Sequence, residues 1–151
     1  MDRKTRLQLD LLREVGDLFR GARIRYWLRG GWALDFILGE VTRVHSDIDL
    51  VTWKRHELRV QRILQGRGFQ MSPRGASTDF EKGGQEVNVL FIERGAGVVY
   101  TAGFKDEPRW SDAVLDDSPR RLAGLRCRAI SPYGLLQEKE NTTRWLGRPP
   151  R

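Results

Sequence analysis

The sequence predicts a single α+β domain in which helices alternate with short strands. Two observations support this fold class: some segments place apolar residues at helical spacing, while others are short runs rich in β-branched and aromatic residues. No repeat and no linker rich in proline, glycine or serine divides the 151 residues. Because this length suits one domain with a buried core, residues 1–151 are treated as one domain.

Four segments are predicted to be helical. The apolar residues from Leu7 to Phe19 recur every three or four positions, which predicts an amphipathic first helix. Gly39 is expected to end the second helix in a left-handed conformation, and Ser131-Pro132 to begin the last one. In chain order the predicted helices span residues 5–20, 32–38, 56–65 and 132–144.

The predicted strands lie between these helices and in the glycine-rich second half of the chain. The first is expected to deliver Gly30 and Gly31 at its end, and the second to carry the two aspartates Asp47 and Asp49. The predicted strands span residues 24–29, 48–53, 69–71, 79–82, 86–92, 98–100 and 125–130. The acidic run 106–117 is expected to be a loop, and residues 146–151 an extended tail.

Composition excludes several classes of protein. No apolar run approaches the roughly 20 residues that cross a membrane, and no signal-peptide core follows the charged N-terminus. The single cysteine, Cys127, excludes an internal disulfide and a zinc site built from thiolates. We therefore expect a cytoplasmic protein without a membrane partner.

The net charge of +7 and the pI of about 10.2 allow two interpretations. A basic surface is typical of proteins that bind nucleotides or nucleic acids. The arginines are nevertheless scattered along the chain, from Arg23 and Arg25 to Arg126 and Arg128, which is equally consistent with a genomic bias toward arginine.

Two short segments contain the residues that predict a binding site. Asp47 and Asp49 are spaced i, i+2, so on a strand their carboxylates lie side by side and repel each other unless a cation compensates. Mg²⁺ binds through one or two carboxylates and completes its shell with water and phosphate oxygens. Gly30 and Gly31 precede them at a predicted helix start, where backbone N–H groups can approach a phosphate. Together the two segments predict a site for a nucleoside triphosphate and Mg²⁺.

Arg43 and His45 lie between these two segments. Arg43 can reach a phosphate through bidentate hydrogen bonds. His45 precedes Asp47 by two residues and on a strand would share its face, which favours a contact with bound phosphate or with Asp47. Both residues are predicted to help position the triphosphate.

This arrangement resembles the nucleotidyltransferases built on the DNA polymerase β palm, above all their aminoglycoside and lincosamide nucleotidyltransferase branch. The resemblance covers about residues 25 to 55. It implies a mixed β-sheet flanked by helices, Mg²⁺ held by Asp47 and Asp49, and ATP as the expected triphosphate. The residues that carry it are Tyr26-Trp27-Leu28-Arg29-Gly30-Gly31-Trp32-Ala33-Leu34-Asp35, Gly39, Arg43, His45 and Asp47-Ile48-Asp49.

The resemblance also implies a third carboxylate, on a later strand, that accepts the proton of the attacking hydroxyl. At the matching position this chain has Asn88, whose amide oxygen can coordinate a metal but cannot accept a proton at neutral pH. Glu86 would face the same side, about 6.5 Å along the strand. Three possibilities stay open: Glu86 is the base, the base is absent and transfer is slow, or the domain binds nucleotide without transferring it. We favour Glu86.

The main hypothesis is a Mg²⁺-dependent nucleotidyltransferase that moves an NMP, AMP above all, to a hydroxyl of a small molecule. An aminoglycoside or a lincosamide is the expected acceptor, and pyrophosphate is the second product. The acidic run 106–117 can contribute to a pocket for a polycationic aminoglycoside, whereas the basic net charge favours a less charged acceptor. The resemblance implies more helix after the palm than this chain has, so a homodimer that completes the acceptor pocket is also expected.

Two other functions remain as alternatives to this hypothesis. One is a palm that binds a nucleotide or nucleic acid without transferring anything, which the Asn88 substitution and the basic charge support. The other is a toxin-like transferase that uses the same chemistry on tRNA or protein.

Overall fold

The computed structural model describes residues 1–104 and 108–138. Three helices, α1 to α3, span Arg3–Gly21, Gly30–Leu38 and Glu57–Gly66, and residues 132–138 are also helical. Nine strands, β1 to β9, span Tyr26–Arg29, Ile48–Trp53, Gln70–Pro73, Ser77–Lys82, Gln85–Gly95, Val98–Thr101, Pro108–Ser111, Pro119–Leu122 and Leu125–Arg128.

Seven strands form one mixed sheet, and β8 and β9 form a separate hairpin. The order β1-β2-β5-β4-β3 makes up the main path, while β6 pairs with the second half of β5 and with β7. Only β2 and β5 run parallel among the described strand pairs of this sheet. Parallel pairing requires a long connection, which here contains α3 and the β3–β4 hairpin.

Side chains alternate between the two faces of the sheet, and each face has its own core. Leu28, Leu50 and Val89 point toward α1, α2 and α3 and belong to the larger core. Trp27, Val51 and Ile92 point to the other face, where Trp110 and Val114 complete a smaller core. We call these the helix face and the open face. Every second residue of β1, β2, β4 and β5 therefore lies on the open face.

The α+β fold with a mixed sheet flanked by helices is confirmed. The strand predicted over 48–53 has the observed bounds, and Gly39 ends α2 with φ of +78° and its N–H on the Asp35 carbonyl oxygen. These elements were predictable because each depends on local residues: an apolar run for the strand, and a glycine with a positive φ for the helix end.

The loop predicted over 106–117 is wrong in part. Pro108–Ser111 form strand β7, and a 3₁₀ turn follows over Asp112–Val114. Strand β8 was not predicted either, because its polar sequence becomes a strand only by pairing with β9. The predicted end of the last helix and the tail over 146–151 lie outside the described residues.

Among the described residues, no helix is both long and apolar enough to span a membrane.

Candidate active site

A row of four polar residues crosses the open face at one end of the sheet. Arg29 of β1 is opposite Asp49 of β2, Asp49 is opposite Asn88 of β5, and Asn88 is opposite Asp79 of β4. Neighbouring strands lie about 4.8 Å apart, so adjacent members of this row are within reach of each other. The strand register therefore brings together residues that are up to 59 positions apart in the chain, as Arg29 and Asn88 are.

The predicted carboxylate pair forms the centre of this site. The Asp47 carboxylate is close enough to Asp49 to act on its ionisation, and the Arg29 guanidinium lies 3.9 Å from Asp49 Oδ1. Burial raises the pKa of Asp49 to about 6, and the charges of Asp47 and Glu138 add to the effect, while Arg29 opposes it. Two carboxylates this close need a positive partner, which is the electrostatic condition for a cation site.

Gly30 and Gly31 bring the start of α2 directly against these side chains. Gly30 has φ of +68°, and a Cβ there would lie 2.7 Å from Asp49 Oδ2. A Cβ at Gly31 would lie 2.4 Å from His45 Nδ1 and 2.9 Å from Arg43 Nη2. Glycine is therefore required at both positions for close approach of the backbone, and at Gly30 also for its conformation. No side chain caps the first turn of α2, whose N–H groups are open to an anion.

His45 does not contact Asp47, contrary to the expectation from sequence. Strand β2 begins only at Ile48, so the alternation of a strand does not extend back to His45. Instead the imidazole is buried, and its Nε2 lies 2.6 Å from the carboxylate of Asp35, which is itself fully buried. Because an ionised carboxylate can only accept, this bond holds a hydrogen on Nε2 and leaves Nδ1 facing Gly31.

The His45 ring is held by a buried network. Asp35 also accepts hydrogen bonds from the backbone N–H and the hydroxyl of Thr42. Gln8 donates to the His45 carbonyl oxygen and accepts from the indole N–H of Trp32. Nδ1 of His45 is buried and has no hydrogen-bond partner among the described residues. A buried nitrogen without a partner beside an uncapped helix start marks a polar atom that a bound ligand can satisfy.

Asn88 is engaged differently from the metal ligand that the sequence suggested. Its Oδ1 accepts from Arg29 Nη2 at 2.7 Å, and its Nδ2 donates to Asp79 Oδ1 at 2.8 Å. A guanidinium thus occupies the direction in which a cation would approach the amide oxygen. Asn88 therefore forms a bridge between Arg29 and Asp79, and its role as a metal ligand through the second lone pair of Oδ1 stays a prediction.

Glu86 lies on the open face with Asn88, near one end of the sheet. It precedes Val87, the first residue of β5 that pairs with β2. Its side chain is exposed and is opposite Glu81 of β4. Within residues 1–104 and 108–138 it makes no hydrogen bond and no ion pair, so its carboxylate is available to a ligand.

A family model for aminoglycoside-2''-adenylyltransferase matches residues 11–133, which include every residue of this site except Glu138. The chain belongs to this family.

The curated and structural relatives agree with this family. A lincosamide resistance protein of Staphylococcus haemolyticus is 32% identical over 76 residues, which are 50% of this chain and 47% of that protein. The chain thus matches about half the length of this curated relative. The structure of ANT(2'')-Ia in complex with adenylyl-2''-tobramycin has a TM-score of 0.80 at 19% identity, over 95% of this chain and 82% of that one. Lincomycin-bound LnuA, a lincosamide antibiotic adenylyltransferase, has a TM-score of 0.70 at 22% identity, over 83% and 81% of the two chains.

Three residues of the site in this chain were not predicted as site residues from the sequence. Arg29 directly precedes the glycine pair, and Asp79 is brought in by strand pairing alone. Glu138 comes from the C-terminal helical segment, where it lies 3.5 Å from Arg29 and 3.0 Å from Arg109. Only Arg29 had a signal in the sequence, namely its place at the end of the strand that delivers Gly30.

The acidic run predicted to line an acceptor pocket is engaged elsewhere. Asp112 pairs with Arg94, Asp116 with Arg120, and Asp117 with Arg25 and Arg128. Asp117 lies near the end of the sheet opposite to Asp49, and two further members of the run, residues 106 and 107, lie outside the described residues. The described carboxylates of this run therefore balance arginines instead of facing the site.

The raised pKa of Asp49 predicts how the stability of the metal-free protein depends on pH. A carboxyl whose folded-state pKa is raised stabilises the fold below its ordinary pKa, and this contribution is lost as pH rises through about 6. The variant Asp49→Asn keeps a neutral group at every pH. We expect its melting temperature to rise relative to the parent between about pH 4 and about pH 7, as followed by circular dichroism. A constant difference over this range would contradict the assigned burial.

Proposed function

We propose that this protein transfers AMP from ATP to a hydroxyl of a polycationic amino sugar of the aminoglycoside class, with release of pyrophosphate. The observation that carries the choice of acceptor is an acidic open face in a protein whose net charge is +7. Asp79 and Glu81 of β4 and Glu86 of β5 share this face with the Asp47 and Asp49 pair.

The choice of an aminoglycoside as acceptor depends on the like-charged pair Glu81 and Glu86. The two residues are directly opposite each other on antiparallel strands, an arrangement that is unfavourable unless a cation lies nearby. No arginine or lysine forms an ion pair with either of them in the described part of the chain. An ammonium group of the acceptor would relieve this repulsion, whereas a lincosamide-type acceptor would relieve it less. The acidic face thus outweighs the basic net charge, which favoured a less charged acceptor.

The nucleotide would bind where α2 begins. The backbone N–H groups after Gly30 and Gly31 can donate to phosphate oxygens, with Arg43 at the side. His45, whose ring is held by Asp35, would present Nδ1 to the bound nucleotide beside Gly31. These groups would orient the triphosphate, and orientation with electrostatic stabilisation is the main source of catalysis in such a reaction.

The residues at the centre of the site fit Mg²⁺. Asp47 and Asp49 would hold it, since a close carboxylate pair is the donor set that this ion takes alongside water and phosphate oxygens. When bound, Mg²⁺ would neutralise charge on the phosphates and on the attacking and leaving oxygens. The Arg29 guanidinium, 3.9 Å from Asp49, would keep that carboxylate oriented and ionised.

Glu86 is the proposed proton acceptor. The acceptor hydroxyl attacks the α-phosphorus, a new P–O bond forms, and the bond to the bridging oxygen of pyrophosphate breaks. The hydroxyl proton passes to the Glu86 carboxylate, which has no partner among the described residues. Asp79 is less suited because it already accepts from Arg74 at 2.9 Å and from Asn88 at 2.8 Å. Asp79 would instead position Asn88.

The choice of acceptor class is tested with Glu81→Gln. We expect a KM for aminoglycosides that is about tenfold higher, with kcat nearly unchanged, because the residue would bind an ammonium group without touching the reacting atoms. Pyrophosphate release in the presence of a panel of aminoglycosides and lincosamides measures both constants. Glu93→Gln, with the same charge change on the opposite face of β5, serves as the control. Turnover with lincosamides alone would refute an aminoglycoside acceptor.

The role of Glu86 is tested by comparing Glu86→Gln with Asp79→Asn. Loss of a general base lowers kcat by about 10²- to 10⁴-fold and removes the acidic limb of the pH profile of kcat. We expect both effects for Glu86→Gln, and a smaller loss with an unchanged pH profile for Asp79→Asn. The reverse order of effects would identify Asp79 as the base.

A further inference from the structure

A second charged feature lies at the end of the sheet opposite to Asp49, where two cavities adjoin. The first cavity lies between α1 and the β8–β9 hairpin and is lined by the six arginines Arg13, Arg20, Arg23, Arg25, Arg126 and Arg128. The second shares Arg23 and Arg25 with it and adds Lys54, Arg55 and Arg94. We call these nine side chains the arginine track.

The fold assembles the arginine track from segments that are far apart in the sequence. Arg13 and Arg20 are seven residues apart, so they lie on one face of α1, about 10 Å from each other along its axis. Strand β9 brings Arg126 and Arg128 beside the start of β1, where the Tyr26 hydroxyl lies 3.7 Å from Cys127 Sγ. The arginines that looked scattered in the sequence therefore converge, and a genomic bias toward arginine does not account for this convergence.

Few carboxylates compensate the arginine track. Its nine cations face three acidic residues that line the same cavities, namely Asp17, Glu93 and Asp117. Five of the nine cations are paired: Arg20 with Asp17, Lys54 with Glu57, Arg94 with Asp112, and Arg25 and Arg128 with a shared Asp117. Within the described residues, the other four, Arg13, Arg23, Arg55 and Arg126, form no ion pair. The nine cations of the track exceed by four the five carboxylates that line the cavities or pair with the track, and a local excess of positive charge favours binding of a polyanion.

The aromatic side chains beside the arginine track indicate which part of a polyanion the track can contact. Tyr26 and Trp27 are buried, and the ring of Trp53 is covered by Arg55 and Arg94, whose guanidinium carbons lie 5.3 and 4.9 Å from its centroid. Among the described residues that line these cavities, no tyrosine or tryptophan ring is open for stacking on a base, which is the usual contact in recognition of single strands. Guanidinium groups form bidentate hydrogen bonds with phosphates. Nine cations that line two adjoining cavities match the repeated phosphates of a polymer.

We infer that the arginine track binds the phosphate backbone of a nucleic acid without sequence preference, on a surface separate from the Asp49 site. Partial burial and the charges of Arg55 and Arg59 lower the pKa of His56, in keeping with a positive potential at this surface.

The test is binding of fluorescein-labelled RNA and DNA oligonucleotides, followed by anisotropy between about 50 and about 200 mM salt. The first variant is Arg13→Gln/Arg23→Gln/Arg126→Gln, which removes three of the four cations of the track that form no ion pair among the described residues. The control Arg3→Gln/Arg6→Gln/Arg67→Gln removes the same charge from residues that line neither cavity. A third variant, Arg13→Lys/Arg23→Lys/Arg126→Lys, keeps the charge. None of these residues belongs to the Asp49 site, so AMP transfer reports on correct folding in all three.

We expect the parent to bind with a steep salt dependence and the first variant to lose at least tenfold in affinity. Each phosphate contact that is lost lowers the slope of log affinity against log salt by about 0.7 to 0.9, so the slope should fall by about two for three arginines. The control and the lysine variant should keep the parent slope. Equal losses in the first variant and the control, or binding to anionic lipid vesicles but to neither oligonucleotide, would overturn the inference. Tighter binding of RNA than of DNA would identify RNA as the ligand within the proposed class.

Discussion

Replacement of both site aspartates, as Asp47→Asn/Asp49→Asn, is expected to lower AMP transfer by at least about 10³-fold. The physical reason is that an amide is a poor ligand for Mg²⁺, so the charge on the phosphates would no longer be neutralised. Removal of two adjacent carboxylates also removes their mutual repulsion and the ionisation of a buried Asp49. The melting temperature of the metal-free variant should therefore rise while its activity is lost. Pyrophosphate release and thermal unfolding measure the two quantities.

The matched control for this variant is Asp10→Asn, which removes an exposed carboxylate from α1 without touching the site. It should retain the turnover of the parent. If the double variant kept more than about a tenth of the parental kcat, the two aspartates would not hold the catalytic ion. If it lost activity but also unfolded at a lower temperature, the proposed electrostatic repulsion between Asp47 and Asp49 would be wrong.

Substitution of Gly31 by alanine is expected to damage both stability and nucleotide binding. The added methyl group would lie 2.4 Å from His45 Nδ1 and 2.6 Å from Cε1. The ring cannot move away easily, because it is buried and bonded to Asp35. Overpacking of this kind costs about 1 to 3 kcal/mol, and it would also fill the space that a phosphate oxygen needs. We expect a lower melting temperature and a rise of at least tenfold in the KM for ATP.

Gly21→Ala is the matched control for Gly31→Ala. Gly21 is also a helical glycine, at the end of α1, and a Cβ there would have no atom within 4 Å. Alanine is favoured over glycine in helices by up to about 1 kcal/mol, so this variant should be as stable as the parent or slightly more stable. An unchanged melting temperature and KM for Gly31→Ala would mean that His45 and Gly31 are less closely packed than described.

The local motifs of this chain could be predicted from the sequence because each depends on neighbouring residues. The glycine pair after a strand, Asp49 on the next strand and the glycine that ends α2 all appear where the sequence predicts them, whereas Asp47 lies just before that strand instead of on it. Family membership follows from the same stretch of residues, and it is confirmed by a match over residues 11–133.

The roles of His45 and Asn88 show where local patterns stop being informative. His45 was assigned by strand alternation, but the strand begins three residues later and the ring turns inward to a buried carboxylate. The amide oxygen of Asn88 is bound by Arg29, a residue from another strand. Both outcomes depend on which groups can satisfy a buried polar atom, and that depends on tertiary neighbours.

By itself, the sequence determined the types of the main elements, the glycine-rich helix start, and the carboxylate pair that needs a cation. Only the tertiary structure decided that Asn88 lies between Asp49 and Asp79, that Glu81 and Glu86 oppose each other, and that arginines from α1 and β9 form one surface. The physical reason is that strand register and helix packing are set by contacts between distant residues, whose free energy is gained only when the whole sheet is assembled. The spacing of residues along the chain does not predict these contacts.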